Sequence, residues 1–190
     1  MTVVETERLR LRPWAVDDLD PLASIFARPE VSWFPFGRGL DREETEGFLD
    51  RHLGHWETHG WGSWAVELRD SPELIGYVGL CTVTWLPEVM PAVEVGWRLH
   101  PAYWGRGLAT EGGRAGLGYG FDDVGLDRII SIFIPENVAS GRVMTKLGMD
   151  PFLATTDPMF GSPLEVREIT AAAWRGQAAG SARMPQQPAG

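Results

Sequence analysis

Near the start of the chain hydrophobic residues alternate with arginine. Over Glu7–Trp14, Leu9 and Leu11 face one way and Arg8, Arg10 and Arg12 the other, which is the two-residue period of a half-buried strand ended by Pro13. The period then changes. From Val16 to Ala27, Leu19, Leu22, Ala23 and Phe26 recur at helical spacing behind Asp17 and Asp18, and Pro29 follows. Val31–Gly39, with Trp33, Phe34 and Phe36, shows neither period and reads as an aromatic loop. A second helix starts at Asp41, where Asp41 and Glu44 match an N-cap with its capping-box partner, and runs through Phe48, Leu49, Leu53 and Trp56 to about Gly60. Trp64–Leu68 and Leu74–Thr84 flank Asp70-Ser71-Pro72 as a hairpin, and Val93–Leu99 is a further strand. A glycine turn, Gly105–Gly107, leads into a helix-length stretch from Leu108 to about Val124. Arg128–Ile134 reads as a short apolar strand, Asn137–Leu147 as a helix and Leu164–Ile169 as the last strand.

That order predicts an α/β fold, with a mixed sheet carrying helices on its faces. Residues 1–175 read as one domain. Residues 176–190, rich in Gly, Ala, Pro and Gln, are expected to be a disordered tail. One stretch resists the pattern. Gly112, Gly113, Gly116, Gly118 and Gly120 each cost a helix interior roughly 1 kcal/mol against alanine. Leu117, Phe121 and Val124 still form a helical stripe, so a helix is expected, with the glycines allowing close packing on the sheet.

Composition narrows the function classes. With 190 residues, 44% hydrophobic and 23% charged, the chain can bury a sizeable core, and no run of eighteen apolar residues offers a membrane span. Met1–Arg10 has no apolar centre for a signal peptide, so the cytoplasm is the expected compartment. The net charge of −9 argues against a nucleic-acid groove, which needs clustered cations. It suits a cationic amine substrate, although solubility explains it equally well. The single cysteine, Cys81, excludes an internal disulfide and is expected in the core. His52, His55 and His59 share a helix face but diverge too far along it to hold a metal, so no metal is expected. That helix is expected to border an acceptor cleft.

The chemistry concentrates between Glu94 and Met149. A strand ending at Leu99 feeds the turn Trp104-Gly105-Arg106-Gly107-Leu108-Ala109 and then a helix. Such a turn aims several backbone N–H groups at one point, where the helix dipole also favours negative charge, and a phosphate is the natural guest. Taken locally it could equally be a plain strand-to-helix connection. It lacks the Gly-Lys-Ser/Thr ending of a P-loop.

Three stretches together resemble the GNAT superfamily of N-acetyltransferases, nearest to the RimJ/RimL-like branch that acetylates ribosomal-protein N-termini. Gly107 and Ala109 match the last two fixed positions of the family's Gln/Arg-x-x-Gly-x-Gly/Ala motif, with Trp104 in place of Gln/Arg. Pro135–Met149 (PENVASGRVMTKLGM) resembles the second cofactor motif, and Thr6–Trp14 (TERLRLRPW) the branch's opening. The resemblance spans about Thr6 to Trp174. It implies acetyl-CoA as co-substrate and a mostly antiparallel mixed sheet with one splayed parallel strand pair. Trp97, Arg98 and Leu99 would face the pantetheine arm. Trp104 and the N–H groups from Gly105 through Arg106, Gly107, Leu108 and Ala109 to Thr110 would hold the pyrophosphate. Asn137 and Ser140 belong to the second motif, Asn137 as a hydrogen-bonding partner of the pantetheine. Arg142 or Lys146 would meet the 3′-phosphate, or both form a solvated helix face.

An amine near neutral pH must lose a proton before it can attack a thioester. Glu94 is the candidate base; alternatively it pairs with an arginine in the sheet. Many family members place a tyrosine acid where this chain has Met144, which leaves Ser140 to protonate the thiolate, or to act as a helix cap while water does so. Trp33, Phe34 and Phe36 would help form the acceptor pocket or fold back as core. The expected acceptor is a protein N-terminus. The rivals are a small amine (polyamine, amino acid or aminoglycoside) and a non-catalytic acyl-CoA sensor. A homodimer is allowed.

Overall fold

A computed structural model describes residues 2–181, without the side chains of residues 33–36 and 178–181. The strands are β1 (Val4–Glu5), β2 (Leu9–Arg12), β3 (Ser63–Leu68), β4 (Ser71–Val83), β5 (Ala92–Leu99), β6 (Arg128–Phe133), β7 (Asp150–Thr156) and β8 (Pro163–Thr170). The helices are α1 (Leu19–Phe26), α2 (Pro29–Phe36), α3 (Arg42–His59), α4 (Leu108–Gly118), α5 (Val138–Lys146) and α6 (Ala171–Ser181). The strands form one sheet in the order β1-β2-β3-β4-β5-β6-β8-β7. Every neighbouring pair is antiparallel except β5 and β6, which are parallel and registered only at Glu94 and Ile130. Beyond that pair the two strands part, leaving a V that opens toward the carboxyl end of β5.

Side-chain alternation assigns the two faces of β5 to different layers. Val95 packs with Leu80, Leu117 and Phe121 under α4. Glu94, Gly96 and Arg98 point to the opposite face, where Phe26 of α1 and Phe48 of α3 stack with Tyr77 of β4 at centroid separations of 6.1 and 5.1 Å. Gly112 and Gly116 of α4 have the expected reason, and Gly113 packs instead against Leu147 beyond α5. A Cβ at Gly112 would stand 3.0 Å from Val78 Cγ2, one at Gly113 2.9 Å from Leu147 Cδ1, and one at Gly116 3.4 Å from Val95 Cγ2. Lost helix propensity is exchanged for close approach to the sheet. From Tyr119 to Asp123 the helix widens to π geometry.

Three expectations need correction. The aromatic segment after α1 is a helix, Pro29–Phe36, not a loop. Its apolar residues are contiguous, so no helical period marks them, while Pro29 starts it at the first turn where proline fits. The side chains of Trp33, Phe34 and Phe36, assigned to the acceptor pocket, lie outside the described residues. Second, β7 was not anticipated. It is an exposed edge strand that carries Pro151 and shifts register between Pro151 and Leu153, as strand proline at an edge does. Third, α6 continues to Ser181, so residues 176–181 of the expected tail have helical backbone. Among the described residues no helix is long and apolar enough to cross a membrane.

Candidate active site

The V between β5 and β6 is a cleft of about 800 Å³. Trp97, Arg98 and Leu99 line it from β5, and Ser131 to Ile134 from β6 and the residue after it. Asn137, Ser140, Arg142, Val143 and Lys146 line it from the α5 side, and Trp104, Gly105, Gly107, Leu108, Ala109 and Thr110 from the turn before α4. Arg106 does not line the cleft. Its guanidinium lies over the Tyr103 ring at 5.5 Å, and its carbonyl accepts from Arg8.

Local chemistry builds the turn. Pro101–Tyr103 makes one 3₁₀ turn capped by the His100 side chain. Trp104 then pins the loop by donating its Nε1–H to Leu99 O at 2.7 Å. Gly105 and Gly107 have φ of 71° and 81°, the left-handed region that glycine adopts without strain. Among the described residues, the consecutive N–H groups from Gly105 to Thr110 have no protein partner, and Gly107 caps α4 without a side-chain bond. An array of free amides at a helix start fits a bound pyrophosphate.

Three residues behind this turn escaped the sequence reading. The Glu111 carboxylate, in the first turn of α4, accepts from Thr6 Oγ1 at 2.6 Å, Arg8 N at 2.8 Å and Arg8 Nε at 2.7 Å. Arg8 also donates to Arg106 O at 2.9 Å. A trans peptide is planar, with its C=O and N–H opposed. Holding Arg106 O toward Arg8 therefore turns the Gly107 N–H the other way, toward the cleft. Burial pushes the Glu111 carboxyl up, but the bonds from Thr6 and Arg8 outweigh it and leave the group below the ordinary carboxylate range. No local signal links residues 6–8 to residue 111. Only the familiar look of the opening hinted that this segment matters.

Glu94 stands where the cleft meets a second, smaller chamber of about 150 Å³. Among the described residues it takes part in no hydrogen bond or ion pair, so it is not the bonded arginine partner that the sequence allowed. Burial raises its carboxyl to about 7, against a smaller lowering effect of Arg98. Cys81 lies outside the core clusters and lines the small chamber. Burial, with the Glu94 charge second, pushes its thiol up to about 11, so it is no nucleophile near neutrality.

On α5, Asn137 is the helix cap: its Oδ1 accepts from Ser140 N at 3.1 Å, and no bond ties down the Ser140 hydroxyl among the described residues. Met144 is wholly buried in the core beneath the helix, and its neighbours Arg142, Val143 and Lys146 face the cleft instead. The α3 histidines do not all separate: the His55 and His59 rings lie 4.4 Å apart, while His52 has its own partner. His52 bonds Ser63, and His55 bonds Trp61 O and Thr82. Among the described residues no group of three His, Cys, Asp or Glu side chains could hold a metal ion.

The model of the acetyltransferase (GNAT) domain matches residues 8–150. The chain belongs to the GNAT acetyltransferase family. Among GNAT relatives, the uncharacterized N-acetyltransferase YnaD of Bacillus subtilis is 31% identical over 147 residues, 77% of this chain and 81% of that protein. The FsC-acetyl coenzyme A-N(2)-transacetylase of Aspergillus fumigatus is 39% identical over 157 residues, covering 77% of this chain and 64% of that protein. The fold is shared with RimL, a ribosomal alpha-N-protein acetyltransferase solved with coenzyme A, at a TM-score of 0.74 and 12% identity over 90% of this chain and 99% of that one. The chain is thus an acetyltransferase with the GNAT fold, a mostly antiparallel sheet with one parallel pair at β5 and β6.

Proposed function

We propose that this protein transfers acetyl from acetyl-CoA to a primary amine by direct attack, with a protein or peptide N-terminus as the acceptor. The observation that carries the reading is Glu94: a carboxyl without a bonded partner among the described residues, raised to about 7, at the inner end of a cleft that the turn of free amides also lines. A base works best with a pKa close to the working pH, because it is then both ionised and able to hold the proton it takes.

Acetyl-CoA brings the acetyl group as a thioester. The free N–H groups from Gly105 to Thr110 would hold its pyrophosphate, the edge of β5 at Trp97, Arg98 and Leu99 would pair with its pantetheine, and Arg142 or Lys146 would meet its 3′-phosphate. Glu94 takes one proton from the acceptor ammonium, directly or through water. The freed nitrogen forms the N–C bond as the C–S bond breaks and gives up its second proton, which water carries to the departing thiolate beside a hydrogen bond from the Ser140 hydroxyl, while Glu94 releases the first proton to solvent. Alignment of amine and thioester contributes much of the acceleration in such a reaction.

The acceptor class is supported by the RimL fold. A small-molecule acceptor is the second reading, favoured by the 39% identity to the FsC-acetyl coenzyme A-N(2)-transacetylase. Thiol release from acetyl-CoA, measured on short peptides and on small amines beside Glu94→Gln, tests both. Peptide turnover that collapses in the variant supports the first reading, and turnover confined to small amines the second. Saturable acetyl-CoA binding without turnover on any amine would make the protein a cofactor sensor.

A further inference from the structure

Helix α5 turns its less favourable end toward the proposed 3′-phosphate site. It runs from its cap, Asn137, to Lys146, and Lys146 lines the same cleft as the turn before α4. A helix carries about half a positive charge at its first turn and about half a negative charge at its last. Helix α4 thus offers its positive end to the pyrophosphate, whereas a phosphate at Lys146 stands beside the negative end of α5.

The last turn of α5 shows how that negative end is met. Gly148, at φ 75°, closes the helix, and the N–H groups of Leu147, Gly148 and Met149 take the carbonyls of Val143, Met144 and Thr145. The Lys146 carbonyl is left over, as a carbonyl at a helix end is. Among the described residues its one partner is Arg114 of α4, whose Nη2 donates to it at 3.1 Å.

The surroundings of Arg114 hold it in that place. It follows Gly113, where α4 comes so near the end of α5 that a Cβ would stand 2.9 Å from Leu147 Cδ1. Its guanidinium lies 6.0 Å from the centre of the Trp174 ring, and that ring lies 6.0 Å from buried Phe121. Trp174 belongs to α6, beyond the residues 8–150 that match the family, and Arg114 itself does not line the cleft. Although exposed, the guanidinium is fixed by a hydrogen bond on one side and an aromatic ring on another.

We propose that Arg114 is a positioning residue for coenzyme A. By capping the Lys146 carbonyl it holds the last turn of α5 against α4 and offsets the negative end of that helix. It thereby sets how strongly the cleft prefers coenzyme A that carries its 3′-phosphate. This role rests on acetyl-CoA binding as read above, with Arg142 or Lys146 at the 3′-phosphate. One cation at a solvated helix end changes anion affinity by about three- to tenfold.

Titration calorimetry at low ionic strength, with coenzyme A and with 3′-dephospho-coenzyme A, tests the role in the parent, Arg114→Met and Arg114→Lys, each checked by thermal melting. The parent should prefer coenzyme A. Arg114→Met should lower that preference about fivefold, raising the Kd of coenzyme A and leaving that of the dephospho form within about twofold. KM for acetyl-CoA should rise in step while kcat holds. Arg114→Lys keeps a cation and a donor at the helix end, so its preference should stay within about twofold of the parent's. An unchanged preference in Arg114→Met, an equal weakening of both ligands, or a lysine variant as poor as the methionine one would overturn the role of Arg114. Equal affinity of the parent for the two compounds would overturn the placement of the 3′-phosphate, and Arg114 with it, and leave the transferase reading standing. No binding of coenzyme A by the parent would overturn the cofactor reading itself.

Discussion

The brace behind the amide turn gives the sharpest quantitative test, because charge and geometry predict opposite signs for one of its variants. In Arg8→Met the bond to Arg106 O at 2.9 Å is lost, and the Glu111 carboxylate keeps only Thr6 Oγ1 and the backbone N–H of residue 8. A charge-assisted bond contributes about 1.5–3 kcal/mol, and the Arg8 side chain is 45% exposed, so about 1 kcal/mol is a fair share for the turn. Removing a cation beside an anion site costs roughly another 1 kcal/mol at a solvated surface. Together these raise the Kd of coenzyme A by about 10–30-fold. Glu111→Gln separates the two contributions. It removes a negative charge and releases that of Arg8, which by charge alone tightens anion binding. It also sets an amide donor against Arg8 Nε–H, which loosens the brace. If positioning dominates, Kd rises by about 3–10-fold. Titration calorimetry with coenzyme A reads both variants, and steady-state kinetics should show a raised KM for acetyl-CoA with little change in kcat. Tighter binding by Glu111→Gln, or an Arg8→Met Kd within twofold of the parent, would refute the argument that the brace orients the turn.

Five further outcomes follow from the geometry. Because burial raises the Glu94 carboxyl to about 7, kcat/KM should climb with pH and level off above that value, and Glu94→Gln should lose the dependence with about 10²–10⁴ of the rate. The same shift makes the folded state hold a proton that the unfolded chain has released between about 4.5 and 7, so stability falls as pH rises through that window. Glu94→Gln should therefore melt higher than the parent at pH 8, by roughly 2 kcal/mol after allowing for cleft water, and match it at pH 4. Arg12→Ala leaves Asp18 only the Ala15 N–H and Glu67 only Arg10 at 3.7 Å, each carboxylate residue being 5% exposed, and should cost about 3 kcal/mol in denaturant unfolding. Gly118→Ala, whose Cβ would meet only Trp174 at 3.6 Å, should stabilise by about 0.5–1 kcal/mol. Gly79→Ala, at φ 146° with a Cβ 2.6 Å from Ser63 Cα, should destabilise by more than about 2 kcal/mol.

Sequence by itself determined what local periodicity and local chemistry can carry. The alternation around Leu9 and Leu11, the capped helix from Asp41, the strand holding Glu94 and the glycine turn before Leu108 are each written within a few residues, so each was legible with its order in the sheet's sequence of elements. The segments that failed lack such a signal. Helix α2 has contiguous apolar residues, and β7 is an exposed edge whose pairing comes from β8. Tertiary structure decided the rest, because the relevant forces act between residues far apart in the chain. Pairing of β5 and β6 at Glu94 and Ile130 alone opens the cleft. Thr6 and Arg8 reach Glu111 across more than a hundred residues. The titration of Glu94 depends on the protein packed around it and on Arg98, and the neutral state of His52 depends on burial and on the charges about it. Ser63 joins Trp14 Nε1 and His52 Nδ1, residues brought together only by the fold. A side chain's identity is local, but its charge state belongs to everything that excludes water from it.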